Sequence, residues 1–570
     1  MSSQALHTSD FVKLLQARAE HRPEGLAFSM AGEAADAESR ITYSELDAMA
    51  RRVAAALVAR ALTGERVLLL LHPGQHYIAA FVGCWYAGAT AVPVYAPRQN
   101  ASFRRVQLIA EDCQAQAILS TSQILAALDP AFVPPSVHRV PIDAIEPGLE
   151  SLWRMPDGIG PDTLAVLQYT SGSTGHPKGV RLRHSHLIEN SRIILSAMRS
   201  TPDSVCVIWV PPYHDMGLIG GVLQPLYGGF PVHLMPPAVF LQRPLRWLEA
   251  ISRHRGTISA APNFAFDLCV RRARPEQVER LDLSSWRVAA NGAEPIRAET
   301  LQRFAETFAA AGFDPRAFFP CFGMAETTLL VAGAGYFEGA CAARFDRAAL
   351  SAGRLVPAGE SGVELVSSGR VASGVKLVIV DPIDLRCCAP DEVGEVWISG
   401  ATVADGYWQR PEATAESFGA RLPGSEAAWL RTGDLGALCG GELYVTGRIK
   451  DLVVIHGHNH YPHDIEASAL AAHPAIRPTG AAAFGIDGPG GEELGLVIEL
   501  ERHWRAYDLE AIRTAVIEAI SREHQLHVGQ LVFVKANALP KTSSGKIQRR
   551  AARERLRAGE FIALSVEVSA

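Results

Sequence analysis

The sequence has little imbalance of charge: 54 basic against 60 acidic side chains leave a net charge of only −6 over 570 residues. Nothing in that total would draw the chain to a nucleic acid or an anionic membrane. Its nine cysteines include adjacent Cys387 and Cys388 but no C-x-x-C pair. That excludes the spacing of a zinc ribbon or a disulfide framework and points to reduced thiols in a cytoplasmic setting. Met1 to Asp10 lacks the charged-then-apolar layout of a secretory leader. The stretch Val67 to Pro97 holds no Asp, Glu, Lys or Arg and could cross a bilayer by length alone. However, Pro73-Gly-Gln-His76 interrupts it, and Gly83, Gly88 and Pro93 punctuate the rest, so it reads as strand, helix, strand rather than as a membrane span. There is no internal repeat and no long low-complexity tract. A Walker A loop is also missing, because Gly545-Lys546 is followed by Ile547, and a P-loop motor or switch is disfavoured.

What is present is an ordinary globular composition, 48% hydrophobic and 20% charged, in a chain too long for one core. A large compound domain and at least one smaller domain are expected. Thr42-Tyr-Ser-Glu45 fits a capping box, and Leu46, Met49, Val53 and Leu57 give the following helix one buried face. Short apolar runs at Val67–Leu71, Ala91–Tyr95, Ala165–Tyr169, Val205–Val210 and Phe230–Leu234 alternate with helical spacing, the beat of an α/β body. Beyond Arg448 the texture changes. Strands near 452–455, 481–484, 496–500 and 531–534, with helices near 461–473 and 509–523, predict a compact α+β unit. The boundary is placed near Lys450, giving 1–449 and 450–570.

Tyr169-Thr-Ser-Gly-Ser-Thr-Gly-His-Pro-Lys-Gly179 follows an apolar run and precedes a basic, helix-like segment. Glycines let backbone N–H groups approach phosphate oxygens, the hydroxyls of Thr170, Ser171, Ser173 and Thr174 add donors, and Lys178 adds positive charge. A glycine–serine–threonine cluster by itself is more often a flexible turn; the full string is far more specific.

At this string the chain resembles the adenylate-forming superfamily of acyl-CoA synthetases, peptide-synthetase adenylation domains and firefly luciferase. Further motifs follow in the family's order. Tyr213-His-Asp-Met-Gly217 is similar to the substrate-side motif, which implies that His214 lies near the carboxylate and the phosphates. Asn291-Gly-Ala-Glu-Pro295 resembles the adenine loop, with Asn291, Gly292 and Ala293 as nucleotide contacts. Phe322-Gly-Met-Ala-Glu-Thr327 resembles the magnesium motif, implying Glu326 as metal ligand beside Thr170, with Phe322, Gly323, Met324 and Thr327 around the nucleotide. Arg431-Thr-Gly-Asp434 resembles the ribose motif, implying that Asp434 binds the hydroxyls. Gly447-Arg-Ile-Lys-Asp451 matches the interdomain junction, with Arg448 facing the nucleotide and Lys450 as hinge. Pro540-Lys-Thr-Ser-Ser-Gly-Lys546 resembles the catalytic loop, with Lys546 as catalytic lysine on a small mobile domain. The Gly172 and Gly175 backbones complete the implied phosphate cradle. The resemblance implies ATP and Mg²⁺ as cofactors, a carboxylate substrate and an enzyme-bound acyl-AMP.

Within the superfamily, Pro211-Pro-Tyr-His-Asp-Met-Gly-Leu-Ile219, Ala261-Pro-Asn-Phe-Ala-Phe266 and Cys321-Phe-Gly-Met-Ala-Glu-Thr-Thr328 resemble fatty acyl-AMP ligases most. The span from Glu326 to Gly369 exceeds that of ordinary acyl-CoA ligases, which marks an insertion at about 339–365. In the resembling ligases such an insertion restrains the small domain and disfavours coenzyme A. The acyl group goes instead to the phosphopantetheine arm of an acyl carrier protein, expected here on a separate chain or module. His458-Asn-His460 after Gly457 lacks an arginine that many CoA-forming relatives carry. Gly217, Gly220, Gly221, Gly228 and Gly229 either let an acyl tunnel pass near backbone or serve tight packing. A basic tail, Lys541 to Glu560, could steer an acidic carrier or form a solvated face. An acyl-CoA synthetase is the nearest alternative function, and a non-catalytic acyl or nucleotide sensor is the alternative of another class.

Overall fold

The computed structural model describes residues 8–31, 38–96, 103–129, 134–170, 177–360, 362–455, 458–488, 491–542 and 546–564. By packing, the chain falls into two compact units: Met1–Cys341 with Val366–Leu377 and Ile398–Arg431, and Ala342–Leu365 with Val378–Trp397 and Thr432–Ala570.

In the first unit the local signals act as their chemistry dictates. The Glu45 N–H donates to Thr42 Oγ1 at 3.2 Å, and the Thr42 N–H donates to Glu45 Oε2 at 2.8 Å. This capping box opens the helix Tyr43–Val58, which buries Leu46, Val53 and Leu57. The uncharged run folds as strand Arg66–Leu71, helix Gln75–Tyr86 and strand Thr90–Tyr95. Those two strands pair in parallel and their side chains are buried on both faces, which explains the unbroken apolar sequence.

Among the described residues this unit contains two large sheets. The six-stranded one runs His138–Pro141, Ala117–Ser120, Arg66–Leu71, Thr90–Tyr95, Leu164–Thr170, Lys178–Arg183, parallel except for its last pair. The nine-stranded one has a parallel centre, Phe318–Gly323, Val288–Asn291, Ile258–Ala261, Cys206–Ile208, Val232–Leu234 and Leu26–Ala31, with antiparallel strands at each end.

One expectation is corrected here. The basic segment after the glycine-rich loop is not helical; Lys178–Arg183 is a strand, and the helix begins only at His184. Val180 and Leu182 are fully buried while Arg181 and Arg183 alternate outward, a period of two that the excess of positive charge obscures. Arg183 then pairs with Asp405 and, at 2.9 Å, with Asp162.

In the second unit, strands Ile476–Gly488 and Gly491–Leu500 pair antiparallel, and Val528–Lys535 adds in parallel. Helices Pro462–Ala471 and Leu509–His524 bury Ile465, Ala469, Ile512, Val516 and Ile520 against Leu494, Leu496, Ile498 and Phe533. The helix Arg549–Arg557 places Ala552 and Leu556 on Ala482, Val497 and Val534. The segment Ala342–Leu365 also belongs to this unit. Its Phe345, Leu350, Leu355, Val363 and Leu365 share a core with Leu435, Ala437, Tyr444 and Tyr461.

Candidate active site

In parallel sheets the carboxyl ends of the strands gather loops into a crevice, where ligands are usually bound. The candidate residues of the first unit sit at such ends. Thr170 closes the strand Leu164–Thr170 and pairs in register with Lys178; Ser171, Gly172, Ser173, Thr174 and Gly175, between them, lie outside the described residues. The Thr170 carbonyl accepts from Arg105 Nη2 at 2.8 Å. Asn291 closes the strand Val288–Asn291, and Gly323 closes the neighbouring Phe318–Gly323, paired through Asn291↔Pro320.

Asn291 is completely buried, yet neither its Nδ2 nor its Oδ1 has a partner among the described residues. The two residues after it are tightly constrained. A Cβ on Gly292 would lie 2.8 Å from the Cys321 carbonyl oxygen, and Ala293 adopts φ of +69°, a left-handed conformation that an alanine rarely takes. Strain at a loop beside an unused buried amide is the pattern of a ligand-binding turn rather than of a spacer.

The motif 322–327 turns sharply. A Cβ at Gly323 would overlap the Leu329 carbonyl at 1.6 Å, so only glycine fits. Phe322, Gly323 and Met324 are partly exposed, whereas Thr327 is fully buried and donates to the Met324 carbonyl at 2.9 Å. The buried amide of Asn190 donates to the Leu330 carbonyl and accepts from the Leu330 N–H, both at 3.1 Å, fixing the exit of the turn. Glu326 is 8% exposed and accepts from the Tyr407 hydroxyl at 3.0 Å. The Lys178 ammonium stands 4.7 Å from the centre of the same tyrosine ring, a cation–π contact. Tyr407 therefore bridges the lysine and the carboxylate. Burial, then the charge of Glu326, push its phenol well above the usual range, so it remains a donor. It is held there because the Lys178–Arg183 strand carries the 405–408 segment: Trp408 N–H donates to the Gly179 carbonyl at 2.8 Å.

His214 lies in the turn after Cys206–Ile208. Tyr77 donates to the Pro212 carbonyl at 2.8 Å and Gln168 to the Tyr213 carbonyl at 3.1 Å, which fixes the turn from two sides. Nδ1 of His214 is 2.6 Å from Asp215 Oδ1. The glycines beyond mostly serve packing: a Cβ would come within 2.1 Å of the Pro211 oxygen at Gly217, 2.7 Å of Ile208 at Gly221 and 2.3 Å of Phe230 at Gly228. Gly229 has φ of +76° as well as Arg18 against it. Gly220 is the exception, partly exposed with Leu329 at 3.4 Å.

In the second unit, Asp434 and Arg448 face each other across an antiparallel hairpin, with Arg448 Nε donating to Asp434 Oδ1 at 2.7 Å. Asp434 is 4% exposed, and burial raises its pKa despite the opposing charges of Arg448 and then Lys546. The turn before it is set by the buried Glu395, whose Oε1 accepts from the Gly433 N–H at 3.0 Å and whose Oε2 accepts from Trp397 at 2.9 Å. The catalytic-loop candidate is closed at its base: Thr542 N–H donates to the Lys546 carbonyl at 2.8 Å, and Lys546 N–H donates to Thr542 Oγ1 at 3.1 Å. Residues 543–545 lie outside the described residues, as does Gly457. Lys450 is exposed within the 3₁₀ turn Ile449–Asp451. Its neighbour Asp451 accepts from Arg549 at 3.1 Å, and Glu466 clasps the same guanidinium at 2.6 and 2.7 Å.

The basic tail is largely occupied within its own unit. Lys541 reaches Glu499 at 3.4 Å, Arg550 reaches Glu554 at 2.9 Å, Arg555 donates to the Ala538 carbonyl at 3.0 Å, and Arg557 pairs with Asp487. Sequence reasoning missed Tyr407, Asn190 and Glu395. Each is a lone polar residue outside any motif, and only its fold partners reveal its role.

With this geometry in hand, comparison with known proteins decides the family. The AMP-binding enzyme family model matches residues 15–408. The chain belongs to the AMP-binding enzymes. A second model, the AMP domain of Disco-interacting protein 2-like proteins, matches residues 450–562. The medium-chain-fatty-acid–[acyl-carrier-protein] ligase JamA of Moorena producens is 42% identical over 96% of this chain and 94% of its own length. The long-chain-fatty-acid–AMP ligase FadD32 of Mycolicibacterium smegmatis is 36% identical over 90% and 88%. Among solved structures, the fatty acyl-adenylate ligase of Legionella pneumophila in complex with acyl adenylate and pyrophosphate superposes with a TM-score of 0.78 at 38% identity, covering 98% of each chain. This AMP-binding enzyme thus has the α/β fold and the added smaller C-terminal part that its sequence implies. No helix among its described residues is long and apolar enough to cross a membrane.

Proposed function

We propose that this chain is a ligase that uses ATP to convert a fatty acid into acyl-AMP, releasing pyrophosphate, and then passes the acyl group to the phosphopantetheine thiol of an acyl carrier protein. The observation that carries the nucleotide half is the Asn291 amide, buried with donor and acceptor both unused. Leaving such groups unpaired costs about 1–3 kcal/mol, and an adenine edge offers the complementary acceptor and donor. The fatty-acid and carrier assignments rest on similarity to ligases named for those substrates.

In this reading Thr170, the residues 171–175 and Lys178 hold the phosphates, Asn291 to Ala293 with Phe322, Gly323, Met324 and Thr327 surround the base, Asp434 takes the ribose hydroxyls, and Arg448 assists. His214 lies toward the fatty carboxylate. Magnesium favours hard oxygen donors, which Glu326 and Thr170 supply, and a carboxylate that accepts from Tyr407 can still ligate. The ion would offset phosphate charge. A carboxylate oxygen of the acid attacks the α-phosphorus and the bond to pyrophosphate breaks, while the Lys546 ammonium stabilises the negative charge shared among the oxygens. The carrier sulfur then attacks the acyl carbonyl, the thiol proton leaves to solvent, and AMP departs. The parts 1–449 and 450–570 reorient about Lys450 between these steps, in the cytosol where carrier and nucleotide are available. The insertion favours the carrier over coenzyme A, because it shares a core with Leu435, Ala437 and Tyr444 before Lys450 and with Tyr461 after it.

The test is exchange of labelled pyrophosphate into ATP with fatty acids of several lengths, followed by offering coenzyme A or carrier proteins. Lys546→Ala should lower exchange at least about a hundredfold, the scale of losing one charge-stabilising donor, while ATP binding persists. Unchanged exchange in that variant would remove Lys546 from the chemistry.

A further inference from the structure

Outside these motifs, the edge of the nine-stranded sheet gathers two imidazoles and a carboxylate. Ser29 pairs in register with His233 on one side and with Arg40 on the other, and Glu38 lies two residues from Arg40. Side chains alternate along strands, so Ser29, His233 and Glu38 share one face. His254, the last residue of the helix Leu245–His254, comes onto that face, and the chain then turns away through Arg255 at φ of +51°. The single oxygen Oε1 of Glu38 lies 3.2 Å from His233 Nδ1 and 3.6 Å from His254 Nε2. One ligand atom from each residue fits within 4.8 Å of the other two.

We propose that Glu38, His233 and His254 form a binding site for a borderline divalent transition metal of the zinc class. The distances support it: a tetrahedron with bonds of about 2.1 Å has edges of about 3.4 Å, between the two measured separations. The donor set of two imidazoles and one carboxylate suits zinc and leaves a fourth position for water, whereas magnesium and calcium prefer oxygen alone. The hydroxyl of Ser29 contacts Glu38 and lies 2.6 Å from His233 Nδ1. On binding, Nδ1 turns from the hydroxyl to the metal and Ser29 keeps its donation to the carboxylate. Arg40 Nε, 3.9 Å from Glu38 Oε2, orients the carboxylate; at 66% exposure its opposing charge is screened by water. The two rings are stacked 3.6 Å apart at 14°. Each must therefore rotate about χ2 to aim its lone pair at a common point. A bound ion would staple the edge strand Glu38–Thr42 to the strand Val232–Leu234 and to the end of a helix, stabilising the first unit without touching the nucleotide residues.

The full-length protein, stripped with chelator and dialysed, is titrated with Co²⁺ while visible absorption is recorded; Zn²⁺ retention and melting temperature are measured in parallel. The parent should develop the intense visible bands of four-coordinate Co²⁺, retain one Zn²⁺ more than the variants, and melt higher with Zn²⁺. His254→Ala and Glu38→Gln, both at solvent-accessible positions, should bind at least about tenfold more weakly, lose the bands and the thermal gain, and keep magnesium-dependent pyrophosphate exchange. Because the chain has other histidines, the difference between parent and variants is the reading. Identical spectra and zinc content in all three proteins, or no bands in the parent, would overturn the assignment and leave protons as the only occupants.

Discussion

Burial of Asp434 has a cost in stability that depends on pH. Its carboxyl, with an ordinary value of 3.8, is raised by burial even though Arg448 and Lys546 oppose the shift. Below pH 3.8 both folded and unfolded chains carry the proton. Between 3.8 and the raised folded value the unfolded carboxyl has ionised and the folded one has not, so stability falls as pH rises through that window and stays lower above it. Asp434→Asn should therefore be more stable than the parent at neutral pH, with the gain shrinking as pH approaches 3.8. Arg448 loses this ion pair at little cost because it is 60% exposed. The same variant should bind ATP more weakly, since an amide replaces one acceptor by a donor. Denaturant unfolding at several pH values, with nucleotide titration beside it, reads both effects; a variant less stable at pH 7 would mean the carboxylate's pairings outweigh its burial. The sequence singles out Asp434 because it lies inside a motif. Glu395, which shapes its turn, is not singled out, because a glutamate in Gly394-Glu-Val-Trp397 has the spacing of any strand residue facing water.

At the scale of elements, sequence pattern locates what local chemistry determines. The capping box at Thr42, the uncharged strand–helix–strand run and the helices of the second unit lie where periodicity places them. Lys178–Arg183 was misread because its alternation spans only two buried positions, Val180 and Leu182, too few to outweigh a run of basic residues. The packing of the segment Ala342–Leu365 was not legible, since contacts between Leu350 and residues about a hundred positions away leave no periodic trace. Its packing changes the experiment that tests its role. Removing 339–365 would bare Leu435, Ala437, Tyr444 and Tyr461, whereas Leu350→Ala removes one anchor from the short helix Arg347–Ser351, which Asp346 caps by accepting from the Ala349 N–H at 2.8 Å. Leu350 is 3% exposed, so the substitution should cost about 2–5 kcal/mol locally. If the insertion restrains the segment around Lys450, the loosened protein should release more acyl-CoA relative to carrier product than the parent does. A lower melting temperature with no coenzyme A thioester would show that acceptor choice is made elsewhere.

For the whole molecule, each unit carries a buried histidine that makes it sensitive to acid. In the first, His184 is fully buried, accepts weakly from the Phe11 N–H at 3.5 Å and meets the Trp85 ring at 5.1 Å. In the second, His524 lies 2.8 Å from Ser468 Oγ and 3.4 Å from Arg347. Burial lowers both to about 4, with Arg347 adding to the effect on His524. Their ordinary value is 6.5, so between 6.5 and 4 the unfolded chain takes up a proton that the folded chain refuses, and stability falls as pH falls. At about 1.4 kcal/mol per unit of pKa, each site costs roughly 3 kcal/mol across that interval, a large share of the 5–15 kcal/mol typical of a folded domain. Asp434 works the other way in the second unit, because taking up its proton relieves a burial penalty. The first unit should therefore lose protection earlier as the solution is acidified. Hydrogen exchange, read separately over the two sets of residues between pH 7 and 4.5, measures this directly, and His184→Gln should flatten the pH dependence of the first unit alone. Equal slopes in both units, unchanged by that substitution, would show that acid sensitivity arises from the carboxylates and not from these rings.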